Sequence, residues 1–312
     1  MNELLAALGL EGATIELVVS GRRSLTLIVR PAGLGRRRVV RVHRGEGENR
    51  VAREYEALAA LRAHAPASFA LSVPEPLARA SVGPGEAAVL GFLEGAPLAP
   101  ARSVTALRSQ LEEARIWLAE LWSVPAPATF GERYSCAAVL RSLESDVAVS
   151  GPRVVASFSA ALAAAHALDA SPAVWCHFDL STSNVLRSRS GIRVVDWEYA
   201  RRGHPLYDWF RFVVQMGLAW RARPPDLSGP LADDEQILAP VRRLFFDPGA
   251  LADAIAAETL AALALAGLDL AHADASLRAV LLQYLGPQMP WRDRRALIET
   301  VLGERSVVSR LV

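Results

Sequence analysis

The hydrophobic pattern of this chain changes period once, near Gly95, and that change restricts it to a small sheet followed by a larger set of helices. Before Gly95, Ala13–Ser20 and Leu25–Arg30 are rich in Ile, Val, Leu and Thr and read as strands. Arg37–His43 sets Arg37, Val39, Arg41 and His43 against Arg38, Val40 and Val42, the period of a third strand. Asn49–Ala63 reads as a helix, with Asn49 as N-cap and Tyr55, Leu58, Ala59 and Leu61 along one face. Val73-Pro74-Glu75-Pro76 is a stiff extended connector, and the apolar run Ala87–Phe92 is a further strand closed by Leu93-Glu94-Gly95. After Gly95 the spacing turns helical over Val104–Trp122, Val154–Leu168, Leu206–Trp220, Pro248–Leu268, Leu277–Leu285 and Arg292–Leu302, with Pro248 in the first turn of its helix. Two short apolar segments, Ala173–Cys176 and Ile192–Val195, interrupt the helices. Two lobes are expected, residues 1–95 in front and 96–312 behind.

Composition narrows the function. A chain of 312 residues can bury a sizeable core, although much of its 52% hydrophobic content is alanine, which favours helix and adds little burial. A net charge of +1 gives no field to recruit nucleic acid or an anionic membrane, so neither is an expected partner. All 34 basic residues are arginine, so a site that ordinarily uses lysine must use something else here. Cys136 and Cys176 are too few for a disulfide framework or a zinc site, and a reduced, cytoplasmic protein is expected. Met1–Leu10 lacks the basic start of a signal peptide. The most apolar stretch, Leu251–Leu270, carries Asp253, Glu258 and Asp269, which suits a buried or amphipathic helix better than a membrane span.

The residues that carry chemistry are His177-Phe178-Asp179-Leu180-Ser181-Thr182-Ser183-Asn184, then Asp196-Trp197-Glu198-Tyr199 at the end of a short apolar run. Phosphoryl transfer asks a protein for positioning, charge neutralisation through Mg²⁺, and an acceptor for the attacking hydroxyl's proton. Asp179 sits on a loop between apolar segments, Asn184 offers an amide oxygen and Asp196 a second carboxylate; such hard oxygen donors suit Mg²⁺. The segment resembles the catalytic and metal loops of the aminoglycoside phosphotransferase and choline kinase family. Asp196-Trp197-Glu198-Tyr199-Ala200 is closer to that family than to the Asp-Phe-Gly of protein kinases, and Gly203-His204-Pro205-Leu206-Tyr207-Asp208 is similar to the motif that follows.

The resemblance implies an α+β, bilobal protein-kinase-like fold: a small antiparallel-sheet front lobe with one helix and a larger, mostly helical rear lobe. It implies an ATP-dependent phosphotransferase that moves the γ-phosphate to the hydroxyl of a small molecule, with ATP and Mg²⁺ as cofactors. It makes Asp179 the catalytic base, Asn184 and Asp196 the metal ligands, and His177 and Asp208 supports of the catalytic loop. Glu198 is left between metal, substrate and the ordering of Arg201 or Arg202. In the front lobe the resemblance puts Arg41 where a lysine contacts the phosphates and Glu54 where its ion-pair partner lies. Ser20–Ser24 is either the turn over the phosphates, with Ser24 and Arg23 reaching them, or a plain hairpin. Gly91, Phe92 and Leu93 fall at the hinge that reads adenine. For a cationic acceptor the available acids are Asp233, Asp234 and Glu235. For a quaternary ammonium the available rings are Trp209, Phe210, Phe212, Trp220, Phe245, Phe246, Tyr284 and Trp291, which equally suit a core. The alternative reading is a catalytically weak or inactive pseudokinase that binds nucleotide as a scaffold, motivated by Arg41 in place of lysine and the glycine-poor turn. The sequence carries no signal of oligomeric state.

Overall fold

Alternation of apolar and polar residues in the front of the chain produces one antiparallel sheet. The computed structural model describes residues 1–20, 24–33, 35–44, 48–82, 85–128, 130–221, 235–268, 273–288 and 294–310. Helix α1 (Asn2–Ala7) precedes strands β1 (Thr14–Ser20), β2 (Ser24–Arg30) and β3 (Arg38–His43). Helix α2 (Arg50–His64) and the short α3 (Ala67–Ala70) follow, then β4 (Pro76–Val82) and β5 (Gly85–Gly91), giving the strand order β1-β2-β3-β5-β4. Leu25, Leu27 and Val29 alternate along β2 and pack with Leu4, Leu5 and Leu8 from the α1 end of the chain, sealing one face of the sheet. The Asn49 side chain caps α2 by accepting from the Ala52 N–H at 3.0 Å.

The buried stripe of α2 is Val51, Glu54, Ala57, Leu58 and Leu61. This corrects the face expected from sequence, since Ala59 is exposed and Tyr55 half-buried while Glu54 turns inward. Ala57, Leu58 and Leu61 join the large rear core through Phe69, Val73 and Leu90, so α2 is packed against both halves of the molecule. The connector at Val73–Pro76 leads into β4, which the sequence reading did not anticipate.

Past the sheet come β6 (Ala96–Pro97), α4 (Val104–Ser123), the short α5 (Cys136–Arg141) and α6 (Glu144–Ala148), and α7 (Pro152–Ala170). Strands β7 (Val174–Cys176), β8 (Val185–Ser188), β9 (Gly191–Val194) and β10 (Arg201–Gly203) lie between α7 and α8 (Leu206–Arg221). Helices α9 (Glu235–Phe245), α10 (Ala250–Leu265), α11 (Ala273–Gln288) and α12 (Arg294–Ile298) complete the rear, followed by a π-turn over Glu299–Gly303 and a 3₁₀ turn over Val308–Arg310. Helix α10 begins after Gly249, so Pro248 precedes the helix instead of entering its first turn. Trp175, Trp197, Tyr207, Trp209, Phe210, Phe212, Phe245 and Tyr284 are all fully buried. Among the described residues no single helix is long and apolar enough to cross a membrane; the one pair that passes together, 238–245 and 250–265, is bent by 71°.

The strand pairs of the rear position the loops. β7 pairs with β10 and β8 with β9, both antiparallel, so residues 177–184 and 195–200 are each clamped between strand ends. β6 pairs with β8, which brings the chain leaving the sheet alongside them. Gly95 is required at that crossing, because a Cβ there would come within 3.1 Å of the Arg187 carbonyl oxygen and 3.0 Å of the Leu186 Cβ.

Candidate functional site

Two turns of left-handed backbone shape the site. Phe178 and Asp196 are the non-glycine residues with positive φ among the described residues, at 63° and 67°. Such conformations persist where surrounding contacts over-determine them. At Phe178 the constraint is Asp208, whose buried carboxylate accepts from the His177 N–H at 2.5 Å and the Phe178 N–H at 2.9 Å. The Phe178 ring stacks on Tyr207 at 4.2 Å between centroids. His177 is fully buried against Trp197 and hydrogen-bonds through Nε2 to the Val195 carbonyl at 3.0 Å, while its Nδ1 accepts from the Asp179 N–H at 3.2 Å. That arrangement makes Nε2 the protonated nitrogen and ties the two loops together.

Asp179 therefore leaves the loop with its backbone fixed and its carboxylate partly exposed, bonded to Asn184 and Arg211. Asn184 donates from Nδ2 to the Asp179 carbonyl at 2.9 Å and to Oδ2 at 3.0 Å. Its own Oδ1 receives only a 3.5 Å contact from the Ser183 hydroxyl. The Val195 N–H donates to the Asn184 carbonyl at 3.0 Å, which places Asp196 beside Asn184.

The front lobe reaches this point through Arg41. Its guanidinium forks, donating from Nη1 to Asp196 Oδ1 at 2.9 Å and from Nη2 to Glu198 Oε2 at 2.8 Å. Glu54 Oε2 lies 3.5 Å from Nη1, and Glu54 Oε1 accepts from the Trp197 N–H at 3.1 Å. Burial works against the Arg41 charge, but Glu54, Asp196 and Glu198 more than reverse this and hold it above its ordinary value. Glu198 pairs with Arg41 and with Arg50 at 3.3 Å, not with Arg201 or Arg202, which settles which arginines it orders.

Beside Arg41 a cavity of about 220 Å³ opens between the sheet and β8. Val39, Leu90, Leu186 and Val195 form its apolar walls, Gly91, Phe92 and Leu93 its edge, and Arg41, Glu54 and Asp196 its polar end. Register places Leu17 and Ile28 on the same sheet face as Val39, although neither lines the cavity. Ser24 opens β2 opposite His43, two pairs beyond Arg41, and does not line the cavity. Arg23, Asp233, Asp234, Asp269 and Trp291, and the side chains of Trp220 and Glu235, lie outside the described residues. Trp209, Phe210, Phe212, Phe245 and Phe246 are core residues, so no open ring cage forms from them.

Sequence reasoning passed over Arg211, Arg50 and Tyr199. Arg211 donates to Asp179 Oδ1, and Arg50 donates to the Tyr199 hydroxyl. Arg211 had a signal: it is the one charged residue in the run Trp209–Gln215, three positions after Asp208 and so on the same face of α8. Arg50 had none, because its contact crosses between the lobes.

Four buried groups make stability depend on pH in opposite senses. Burial holds His177 and His204 down at about 4, and it pushes Glu54 up to about 7 and Asp208 up to about 6. Each histidine binds its proton less readily in the fold, so its contribution is complete above about 6.5 and is lost as pH falls toward 4. The two acids contribute in the reverse sense, with stabilisation fading as pH rises through about 6 and 7. His204→Gln deletes one of these titrations. The stability gap between parent and variant therefore narrows by about 2 kcal/mol from about pH 7 to about pH 5 in denaturant titrations. A constant gap would mean that His204 is not held neutral.

The family model described as the phosphotransferase enzyme family matches residues 14–234. No curated protein sequence matches the chain. Among solved structures, a candidate aminoglycoside phosphotransferase of Ralstonia eutropha JMP134 superposes with a TM-score of 0.55 at 15% identity, covering 99% of this chain and 97% of that one. An aminoglycoside phosphotransferase of Streptomyces rimosus gives 0.49 at 17% identity, over 90% and 95% of the two chains. A choline/ethanolamine kinase family protein of Mesorhizobium loti gives 0.46 at 20% identity, over 94% and 86%.

Proposed function

The chain belongs to the phosphotransferase enzyme family, and from that membership and the geometry of the cleft we propose ATP-dependent transfer of the γ-phosphoryl group to the hydroxyl of a small molecule. The observation that carries the reading is the apolar cavity at Gly91–Leu93 ending on Arg41 and Asp196, with the Asn184 carbonyl bonded to the neighbouring Val195 N–H and the Asn184 amide bonded to Asp179.

In this reading the apolar cavity takes the adenine, with backbone groups of residues 91–93 at its edge. Arg41 gives up part of its fork on Asp196 and Glu198 to the phosphates, for which a guanidinium is a suitable bidentate donor. Asn184 Oδ1 and Asp196 Oδ2 are the oxygens left for a metal, and one amide with one carboxylate fits the few protein ligands that Mg²⁺ takes. Mg²⁺ held there would offset negative charge on the phosphates. Asp179 orients the acceptor hydroxyl and takes its proton as the hydroxyl oxygen bonds to the γ-phosphorus. The bond from that phosphorus to the bridging oxygen breaks, and its electron pair leaves with ADP. Asp179 has the lone pairs for this role while still accepting from Asn184 and Arg211.

Asp196→Asn tests the reading without disturbing the loop, since asparagine tolerates left-handed backbone. Titration calorimetry is expected to give Mg·ATP affinity about tenfold weaker or worse in the variant, the range for losing one interaction with a charged group. Equal affinities in parent and variant would remove Asp196 from the metal site. The pseudokinase alternative predicts Mg·ATP binding with no ADP formation in a coupled assay, whatever hydroxyl compound is added.

A further inference from the structure

We propose that the acceptor is neutral or anionic around its reacting hydroxyl, and that Arg211 sets this preference. The inference rests on the phosphotransfer reading and goes further by naming the substrate class.

Arg211 projects from α8 one turn after Asp208 and donates to Asp179 Oδ1. Its side chain is only 13% exposed, and its Nε is buried without a hydrogen-bond partner. The guanidinium lies 5.3 Å from the centre of the Tyr284 ring, and the Tyr284 hydroxyl accepts from Gln215 Nε2 at 2.8 Å, so an anchored aromatic floor holds it in place. Burial alone would weaken its charge, but Tyr284 and Asp179 more than offset this. A fixed cation thus stands beside the carboxylate that must receive the hydroxyl.

The carboxylates on this side of the cleft are already matched: Asp179 with Arg211, Asp196 with Arg41, and Glu198 with Arg41 and Arg50. Among the described residues none of these three is left unpaired to receive an ammonium group. The face of the Tyr284 ring is covered by Arg211 itself. An amino alcohol or aminoglycoside would bring a like charge against Arg211, whereas a polyol, sugar or hydroxy acid could accept from it. Like charges a few ångströms apart in a partly buried site disfavour association by about tenfold or more.

The test uses the full chain in a coupled-ADP assay with hydroxyl compounds matched in size and differing in charge: glycerol, glycerate and 3-amino-1,2-propanediol, with larger sugars, sugar acids and aminoglycosides. Mg·ATP binding is measured on the same sample by calorimetry. The expected result is that the acceptors with the highest kcat/KM are neutral or anionic. Arg211→Gln should raise KM for the best acceptor by about tenfold to a hundredfold, the range of one charge-assisted hydrogen bond, with the KM for ATP little changed. Arg211→Lys should recover part of the loss, as a purely structural role would not require. A cationic compound as best acceptor, or an unchanged acceptor KM in Arg211→Gln, overturns the proposal. Mg·ATP binding with no stimulation by any neutral or anionic compound also counts against it. Absence of Mg·ATP binding would instead remove the phosphotransfer reading beneath it.

Discussion

Asp179→Asn should lower kcat by about 10²- to 10⁴-fold, the usual worth of a positioned proton acceptor, while Mg·ATP still binds. The size follows from what the substitution leaves in place. The loop backbone is held by Asp208, His177 and Asn184, none of which needs the Asp179 charge to stay where it is. What changes is the group facing the hydroxyl. An amide has one oxygen to accept with, and both Arg211 and Asn184 already donate to the carboxylate. One of those donors would then face an NH₂ group, at a cost of about 1–3 kcal/mol if it stays buried. The variant is thus expected to melt a few degrees lower and still be folded. Stopped-flow or coupled-ADP kinetics beside a thermal melt separates the two effects. A kcat within about threefold of the parent would remove Asp179 from the chemistry.

Asp208→Ala should produce the largest loss of stability of any substitution considered. The carboxylate is wholly buried and accepts two consecutive backbone N–H groups at 2.5 and 2.9 Å. Alanine would strand both donors inside the rear lobe and open a space beneath Phe178. Leaving a buried donor without its acceptor costs about 1–3 kcal/mol, and here there are two. Urea titration should show this as a lower midpoint with an unchanged slope. Activity should fall as well, because Phe178 loses the contact that holds its backbone at φ 63° and Asp179 is the next residue. A loss below about 1 kcal/mol would mean that the two N–H groups find another acceptor.

The fold was legible where local chemistry repeats. The alternation in β2, the Asn49 cap and the long apolar stripe of α4 are visible in the residues alone, because each is set by neighbours within a few positions. Strands β8 and β10 are four and three residues long, too short for periodicity to register, and β10 also depends on a partner, β7, far back along the chain. Helix α9 contains Pro240, which argues against a helix in sequence and is tolerated here in a segment whose Leu238, Val241 and Leu244 are buried.

The site divides in the same way. The order His177, Asp179, Asn184, Asp196 is legible because the loop chemistry needs those residue types in sequence. The fork of Arg41 onto Asp196 and Glu198 is a long-range contact that a lysine, with one point of charge, would make differently. It is a consequence of the lysine-free composition that only coordinates could locate. Glu54 shows the same limit: a carboxylate on the inner face of α2 has no rationale until the Trp197 N–H and Arg41 are placed against it.

The central claim is that Asp179, Asn184 and Asp196 act together on a bound triphosphate. The most direct measurement is ³¹P NMR of the parent protein incubated with ATP, Mg²⁺ and the panel of hydroxyl compounds. Phosphotransfer predicts a new phosphate monoester resonance growing in step with ADP and missing from Asp179→Asn. ATP left intact across the whole panel, or ADP accompanied only by inorganic phosphate, would contradict it.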